Sequence, residues 1–454
     1  MTLDKKIIKE YNSSRKLFRR KYLCNAPFVN MYFNIHGDAA PCWLGFQNPD
    51  SYPAKSIKEI WSGQKFNHIR ENIVGLSLEK TCGVCLSNLK NKNYVSVLSK
   101  AYDFVGRPAK YPLMMELELD NTCNLECIMC DGFLSSGIRK NREKKEAFKP
   151  PYDDAFIEQL NEFIPHLKEI RINGGEPFLS ATYKKIFENI FRLNPSLNIV
   201  VATNGTQWNA GFEDILSRGR FNINISIDSL RKDTYERIRV NGSFDRVMSN
   251  FEKFSEYCKR RNTKLCMLVN PMRQNWQEMG DFVEFCNEKN ILLWYNTIQH
   301  PEEHSLWALP ADELEHIYKT LSQITFNPTA GYSVNLHNIN VFKNLVQVQI
   351  YNWLEASKKR TGCCGDESSD LAGLFENRLA LFIKDKGFDE EKIKQEISFI
   401  NNKLDKMLDF IKERDIEPSG FYKLIKNIPV EMLYEELTSK PDVELLERLE
   451  KLLK

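Results

Sequence analysis

The chain has 454 residues, enough for two or three domains, and its 63 basic and 61 acidic side chains leave a formal net charge of +2. So even a balance argues against a broad nucleic-acid footprint, which shows as a basic excess or stripe. Hydrophobic content of 42% with 27% charged residues fits a soluble globular protein, and no window approaches the roughly 20 apolar residues that a membrane helix needs.

Met1 to Tyr22 is rich in Lys and Arg, lacks the apolar core of a secretory signal, and is expected to be a solvated helical lead-in. With no such signal, the 12 cysteines point to a reducing cytoplasm rather than to a disulfide framework. From Tyr22 to Tyr94 the chain reads as a small module holding Cys24, Cys42, Cys82 and Cys85, with His36-Gly37-Asp38 as a hairpin turn.

Six short apolar or β-branched runs then follow: Leu113 to Leu119, Lys168 to Ile172, Leu197 to Ala202, Phe221 to Ile227, Lys264 to Val269 and Ile291 to Tyr295. Between them, Asp153 to Ile164, Tyr183 to Arg192, Phe244 to Cys258 and Trp276 to Asn287 place apolar residues at helical spacing. Repeated βα units make a parallel sheet with right-handed crossovers, so the expected fold class is α/β, a partial (β/α)6 TIM-like barrel. Beyond Pro310 the pattern turns helical, over Ala311 to Ile324, Leu371 to Lys384, Glu390 to Arg414 and Val430 to Lys454. The expected organisation is a cysteine-rich module at 1–110, the barrel at 111–309 and a helical C-terminal domain at 310–454.

Barrel chemistry sits on the loops after strand C-termini. The first run is followed by Cys123, Cys127 and Cys130, the second by Gly174-Gly175-Glu176-Pro177, the third by Thr203-Asn204-Gly205-Thr206 and the fourth by Asp228-Ser229. These polar motifs therefore share one end of the barrel. Three thiolates would leave one iron of a four-iron cluster without a protein ligand, whereas an electron-transfer site supplies four. A zinc site would ask for a fourth Cys or His nearby, and a buried inert trio for a shared apolar face; the loop offers neither.

The Cys123-to-Cys130 segment resembles the CxxxCxxC signature of the radical S-adenosylmethionine (SAM) enzymes. The resemblance implies a [4Fe-4S] cluster on Cys123, Cys127 and Cys130 whose open iron takes SAM. One electron then breaks the sulfonium bond, and the resulting deoxyadenosyl radical abstracts hydrogen from a substrate. Gly174, Gly175 and Glu176 resemble the family's GGEP motif, where exposed backbone receives the SAM amino group. Ser226 and Asp228 correspond to ribose contacts, with helix capping as the plainer alternative. Arg239 falls where relatives hold the SAM carboxylate, against the alternative of a solvated helix face. Asn270 is expected to reach the adenosine, and Asn204 to order its loop or touch substrate, though either could simply satisfy a turn. Met129 departs from the usual aromatic residue beside the adenine but offers a similar apolar contact.

Cys24, Cys42, Cys82 and Cys85 resemble the SPASM or twitch modules that carry an auxiliary [4Fe-4S] cluster, although those modules usually follow the barrel; a zinc knot is the alternative. The resemblance further implies a reductant such as flavodoxin or ferredoxin. The substrate is expected to be a peptide or protein side chain, with a sugar or other small metabolite second. A non-catalytic iron-sulfur carrier or a zinc-binding protein is the rival from another class. Cys258, Cys266 and Cys286 read as small core residues, and Cys363 and Cys364 as a loop pair without a site. His300 to His304, at the barrel mouth, reads as a polar linker into the helical domain, with contact to substrate as the alternative.

Overall fold

A computed structural model of the chain describes residues 3–15, 22–45, 50–78, 82–90, 92–94, 96–103, 110–298, 300–328, 333–361 and 390–414, together with single residues and short stretches between 383 and 446. Among the described residues nine strands form one sheet: β1 (Asn30–Phe33), β2 (Asp38–Ala40), β3 (Asp50–Ser51), β4 (Met114–Glu118), β5 (Glu169–Asn173), β6 (Asn198–Thr203), β7 (Arg220–Ser226), β8 (Leu265–Val269) and β9 (Leu292–Tyr295). Their spatial order is β3-β2-β1-β4-β5-β6-β7-β8-β9. From β4 to β9 every neighbour is parallel and sequential, which is the expected partial (β/α)6 barrel.

Strand alternation decides what each face holds. Ile170 and Ile172, Ile199 and Val201, Ile223 and Ile225, and Met267 and Val269 all point one way, into a continuous core with Phe156, Phe187, Phe212 and Phe251 of the crossover helices. The opposite, inner face carries Glu118, Asn173, Asn224 and Ser226, all half-buried. Cys266 lies half-buried on this inner face and not among the core residues as expected, because it alternates with Leu265 and Met267. Cys258 and Cys286 are core residues.

The boundary expected at residue 110 is bridged by strand pairing. β1 runs parallel to β4 in the register Asn30 to Met114 through Phe33 to Leu117, so the cysteine module extends the barrel's own sheet. The boundary expected at 309 also moves. The helix Val334–Asn344 covers the free edge of β9, where Asn338 accepts from the Leu293 backbone N–H at 2.9 Å and donates to the Ile291 carbonyl at 3.0 Å. An edge strand left bare would expose unpaired backbone groups, and this side chain meets that need. Met1–Lys358 is accordingly one compact unit, and Lys359–Lys454 a second that includes the helix Glu390–Lys412. Cys363 and Cys364, the stretch 371–382 and most of 430–454 lie outside the described residues. Among the described residues no helix is long and apolar enough to cross a membrane.

Candidate functional site

The loops after β4, β5, β6 and β7 are wired to one another at the C-terminal end of the barrel. Glu176 is fully buried, and its carboxylate accepts from Thr203 Oγ1 at 2.8 Å and from the Asn204 backbone N–H at 2.7 Å. Its own N–H donates to the Thr122 carbonyl at 2.7 Å, so one residue ties the second and third loops to the cysteine loop. Burial pushes the Glu176 carboxyl up to about 7. Asn204 then reaches Asn124 Oδ1 at 3.0 Å and lies 3.9 Å from Cys123 Sγ.

Both motif glycines are required by space as well as by conformation. Gly174 and Gly175 have φ of +82° and +53°; a Cβ would come within 2.6 Å of Glu118 Cγ at the first and 2.6 Å of the Thr122 carbonyl oxygen at the second.

The cysteine loop is pinned on its other side by backbone bonds from Glu126 N–H to the Val240 carbonyl, 3.0 Å, and from Ile128 N–H to the Ile238 carbonyl, 2.9 Å. This pairing sets Arg239 opposite Cys127, whose Sγ lies 3.9 Å from Nη1. Arg239 was expected on a helix or a ligand carboxylate; here it is buried and paired with Asp228 at 2.7 Å. Asn270 supports that carboxylate from the far side, donating to Asp228 Oδ1 from its backbone at 2.7 Å and from Nδ2 at 2.9 Å. Met129 and Ile128 pack against Ile238, Met272 and Ile298 in a small apolar cluster, and Ser226 ends β7 on the inner face.

The residues fit an iron-sulfur cluster and a polar ligand. Cys127 is buried and its thiol is pushed up to about 11, chiefly by desolvation, with Cys123 and Cys130 raised in the same direction. Thiols so placed ionise only against strong positive charge, which bound iron provides. Arg239 Nε is buried without a hydrogen-bond partner among the described residues, an orphaned donor that a ligand anion would satisfy.

The upstream cysteines converge as well. Cys24, Cys42, Cys82 and Cys85 line one cavity with Leu23, Ile73, Val97 and Tyr102. The four thiols therefore share one lining, the arrangement that either a cluster or a zinc knot asks for.

Sequence reasoning passed over Glu118, Tyr32, Asn275 and Glu278. Glu278 is buried and accepts from Ser229 Oγ at 2.8 Å and the Leu230 N–H at 2.8 Å, while Asn275 Nδ2 donates to the Asp228 carbonyl at 2.6 Å; together they fix the loop after β7. Glu118 carried a readable signal, since Glu116 and Glu118 two apart in a strand place two carboxylates on one face.

A parallel barrel with three clustered cysteines and an anion-ready arginine at its C-terminal rim defines an iron-sulfur enzyme that binds a small polar cofactor. Residues 117–286 match the Radical SAM superfamily model, and the barrel of this chain is a radical SAM domain, whose family uses a [4Fe-4S] cluster and SAM. The GTP 3',8-cyclase of Listeria welshimeri is 27% identical over 238 residues, covering 51% of this chain and 67% of that protein. The probable GTP 3',8-cyclase of Methanocaldococcus jannaschii is 26% identical over 179 residues, covering 39% and 56%. The GTP 3',8-cyclase of Clostridium botulinum is 27% identical over 148 residues, covering 33% and 44%. The chain thus spans from under half to two thirds of the length of these relatives. Among solved structures, Streptococcus suis SuiB bound to precursor peptide SuiA aligns with a TM-score of 0.36 and 16% identity over 52% of this chain and 50% of that one. Native anSMEcpe with bound AdoMet aligns with a TM-score of 0.36 and 17% identity over 54% and 63%.

Proposed function

We propose that the chain is a radical SAM enzyme that acts on a small metabolite. The observation that carries the reading is the wiring of the Cys123–Cys130, Gly174–Glu176 and Thr203–Thr206 loops through Glu176, whose buried carboxylate holds the third loop and whose backbone N–H holds the cysteine loop. Cys123, Cys127 and Cys130 hold the [4Fe-4S] cluster. Gly174 and Gly175 offer close backbone approach to the SAM amino group, and Arg239 Nε, still without a partner, turns to the SAM carboxylate. Ser226, Asp228 and Asn270 serve the ribose and adenosine side, and Met129 supplies an apolar wall. Held by these residues, and with a low-potential carrier such as flavodoxin or ferredoxin as reductant, the cluster and SAM would supply one-electron chemistry for hydrogen abstraction from the substrate.

A peptide substrate, the first expectation from sequence, gains no support, because the curated relatives are named for a nucleotide. The small-metabolite alternative is favoured. In the same reading, Cys24, Cys42, Cys82 and Cys85 hold a closed auxiliary cluster for electron transfer or support.

Anaerobic reconstitution with iron and sulfide, reduction with dithionite and chromatography for 5'-deoxyadenosine test the main reading. Release of deoxyadenosine and methionine from SAM is the expected result. A fully iron-loaded protein that leaves SAM intact would sink it.

A further inference from the structure

The inner face of the barrel carries a charge pattern that bears on the substrate, on the assumption that the radical chemistry proposed above takes place at its mouth. Strand parity puts Glu116, Glu118, Glu169 and Arg171 on this face, with Arg220 at the far, N-terminal rim. Arg171 is already engaged, 2.8 Å from Glu169 and 3.8 Å from Glu116. The rest of the inner face is amide, hydroxyl or apolar, with Asn173, Asn224, Ser226 and Leu268 near the site end.

Glu118 stands apart from this neutral background. It lies at the C-terminal end of β4, half-exposed, against Gly174 of the motif expected to receive the SAM amino group. Tyr32, reaching over from β1, donates to Glu118 Oε2 at 2.6 Å and so fixes the carboxylate's orientation. Among the described residues no lysine or arginine pairs with Glu118, and the charge that bears on it, Asp131, has the same sign. At the same rim, Arg239 is matched by Asp228.

A triphosphate brings several negative charges into such a space and finds no uncommitted cation on the strands, while on the loops at this end Arg142 is turned to the Glu126 and Cys127 carbonyls and Arg273 to the Glu302 and Ser305 carbonyls. A protonated amine meets an oriented, unmatched carboxylate in a half-buried site, where the pairing is stronger than in water.

We propose that the barrel interior binds a small metabolite bearing a protonated amine, held by Glu118 with Tyr32 as its positioning partner, and rejects phosphorylated nucleotides. The substrate class therefore differs from the GTP for which the curated relatives are named.

The test uses the reconstituted holoenzyme with SAM and dithionite. Release of 5'-deoxyadenosine is measured with no addition, with GTP, and with a macromolecule-free cell extract split by ion exchange into cationic, neutral and anionic fractions. The cationic fraction should raise release at least tenfold above the uncoupled rate, and GTP should not. In E118Q the amount of that fraction needed for half-maximal stimulation should rise at least tenfold, with partial recovery in E118D, a split that general loss of folding would not produce. Stimulation by GTP, by the neutral or anionic fraction alone, or by no fraction overturns the proposal, as does an unaltered half-maximal dose in E118Q. Absence of uncoupled release in the unsupplemented sample would instead count against the enzyme reading itself.

Discussion

Arg239 and Asp228 form a 2.7 Å ion pair in which neither side chain is more than 8% exposed. Taking two charges out of water is costly, and burial works against the charged guanidinium; the pair persists because Asn270 donates twice to the carboxylate and the Asp228 charge holds the guanidinium ionised against that cost. The pair keeps the guanidinium folded against the cysteine loop, 3.9 Å from Cys127 Sγ.

Removing one partner strands the other. D228N should destabilise the metal-free protein by about 3 kcal/mol, and the D228N/R239Q double variant by clearly less than the sum of the two single changes. Urea titrations of the four proteins give the coupling directly. Additive effects would mean that the two charges do not support each other.

Glu176 ties stability to pH. Its folded value of about 7 stands above the ordinary 4.5, so the folded state binds the proton more tightly than the unfolded chain does. The contribution is complete below pH 4.5 and is lost as pH rises through 7. Over that window wild type should lose on the order of 3 kcal/mol relative to E176Q. The difference between their unfolding free energies, followed across the window, checks the sign as well as the size.

The two motif glycines should respond differently to alanine. In G174A the new methyl meets the Glu118 side chain, which can shift; in G175A it meets the Thr122 backbone carbonyl, which cannot. Both also force a positive φ on alanine, at about 1 kcal/mol each. Thermal melts should therefore place G175A below G174A, by roughly 1–2 kcal/mol more.

Iron content separates the two cysteine sets. Reconstituted wild type should hold about eight iron atoms per chain and the C123A/C127A/C130A variant about four. C82A should lower iron at the upstream set while the triad remains loaded. Zinc in place of iron at the upstream set, found by elemental analysis of protein purified without oxygen, would overturn the auxiliary-cluster assignment.

The six barrel strands were legible because each is a short apolar or β-branched run bounded by polar loops, and the site loops because they follow strand C-termini. The pairing of β1 with β4 was not legible: Asn30 and Met114 stand far apart in sequence, and a parallel register leaves no local mark. Asn338 was hidden for a similar reason, since an asparagine in a helical pattern gives no sign that it satisfies a distant strand edge. Within the site, residue types and positions could be read, but not the Arg239–Asp228 pair or the three-way reach of Glu176, which depend on how loops distant in sequence meet.

The parallel pairing of β1 with β4 also bears on modularity. Asn30 donates to Glu116 and Tyr32 to Glu118, so the segment that begins the cysteine-bearing region also furnishes part of the barrel's interior wall. Swapping that segment between relatives, or trimming it to isolate the catalytic half, would reshape the reaction chamber itself. The two parts are therefore coupled: a mutation in residues 30–33 reaches the barrel's interior wall through Glu116 and Glu118.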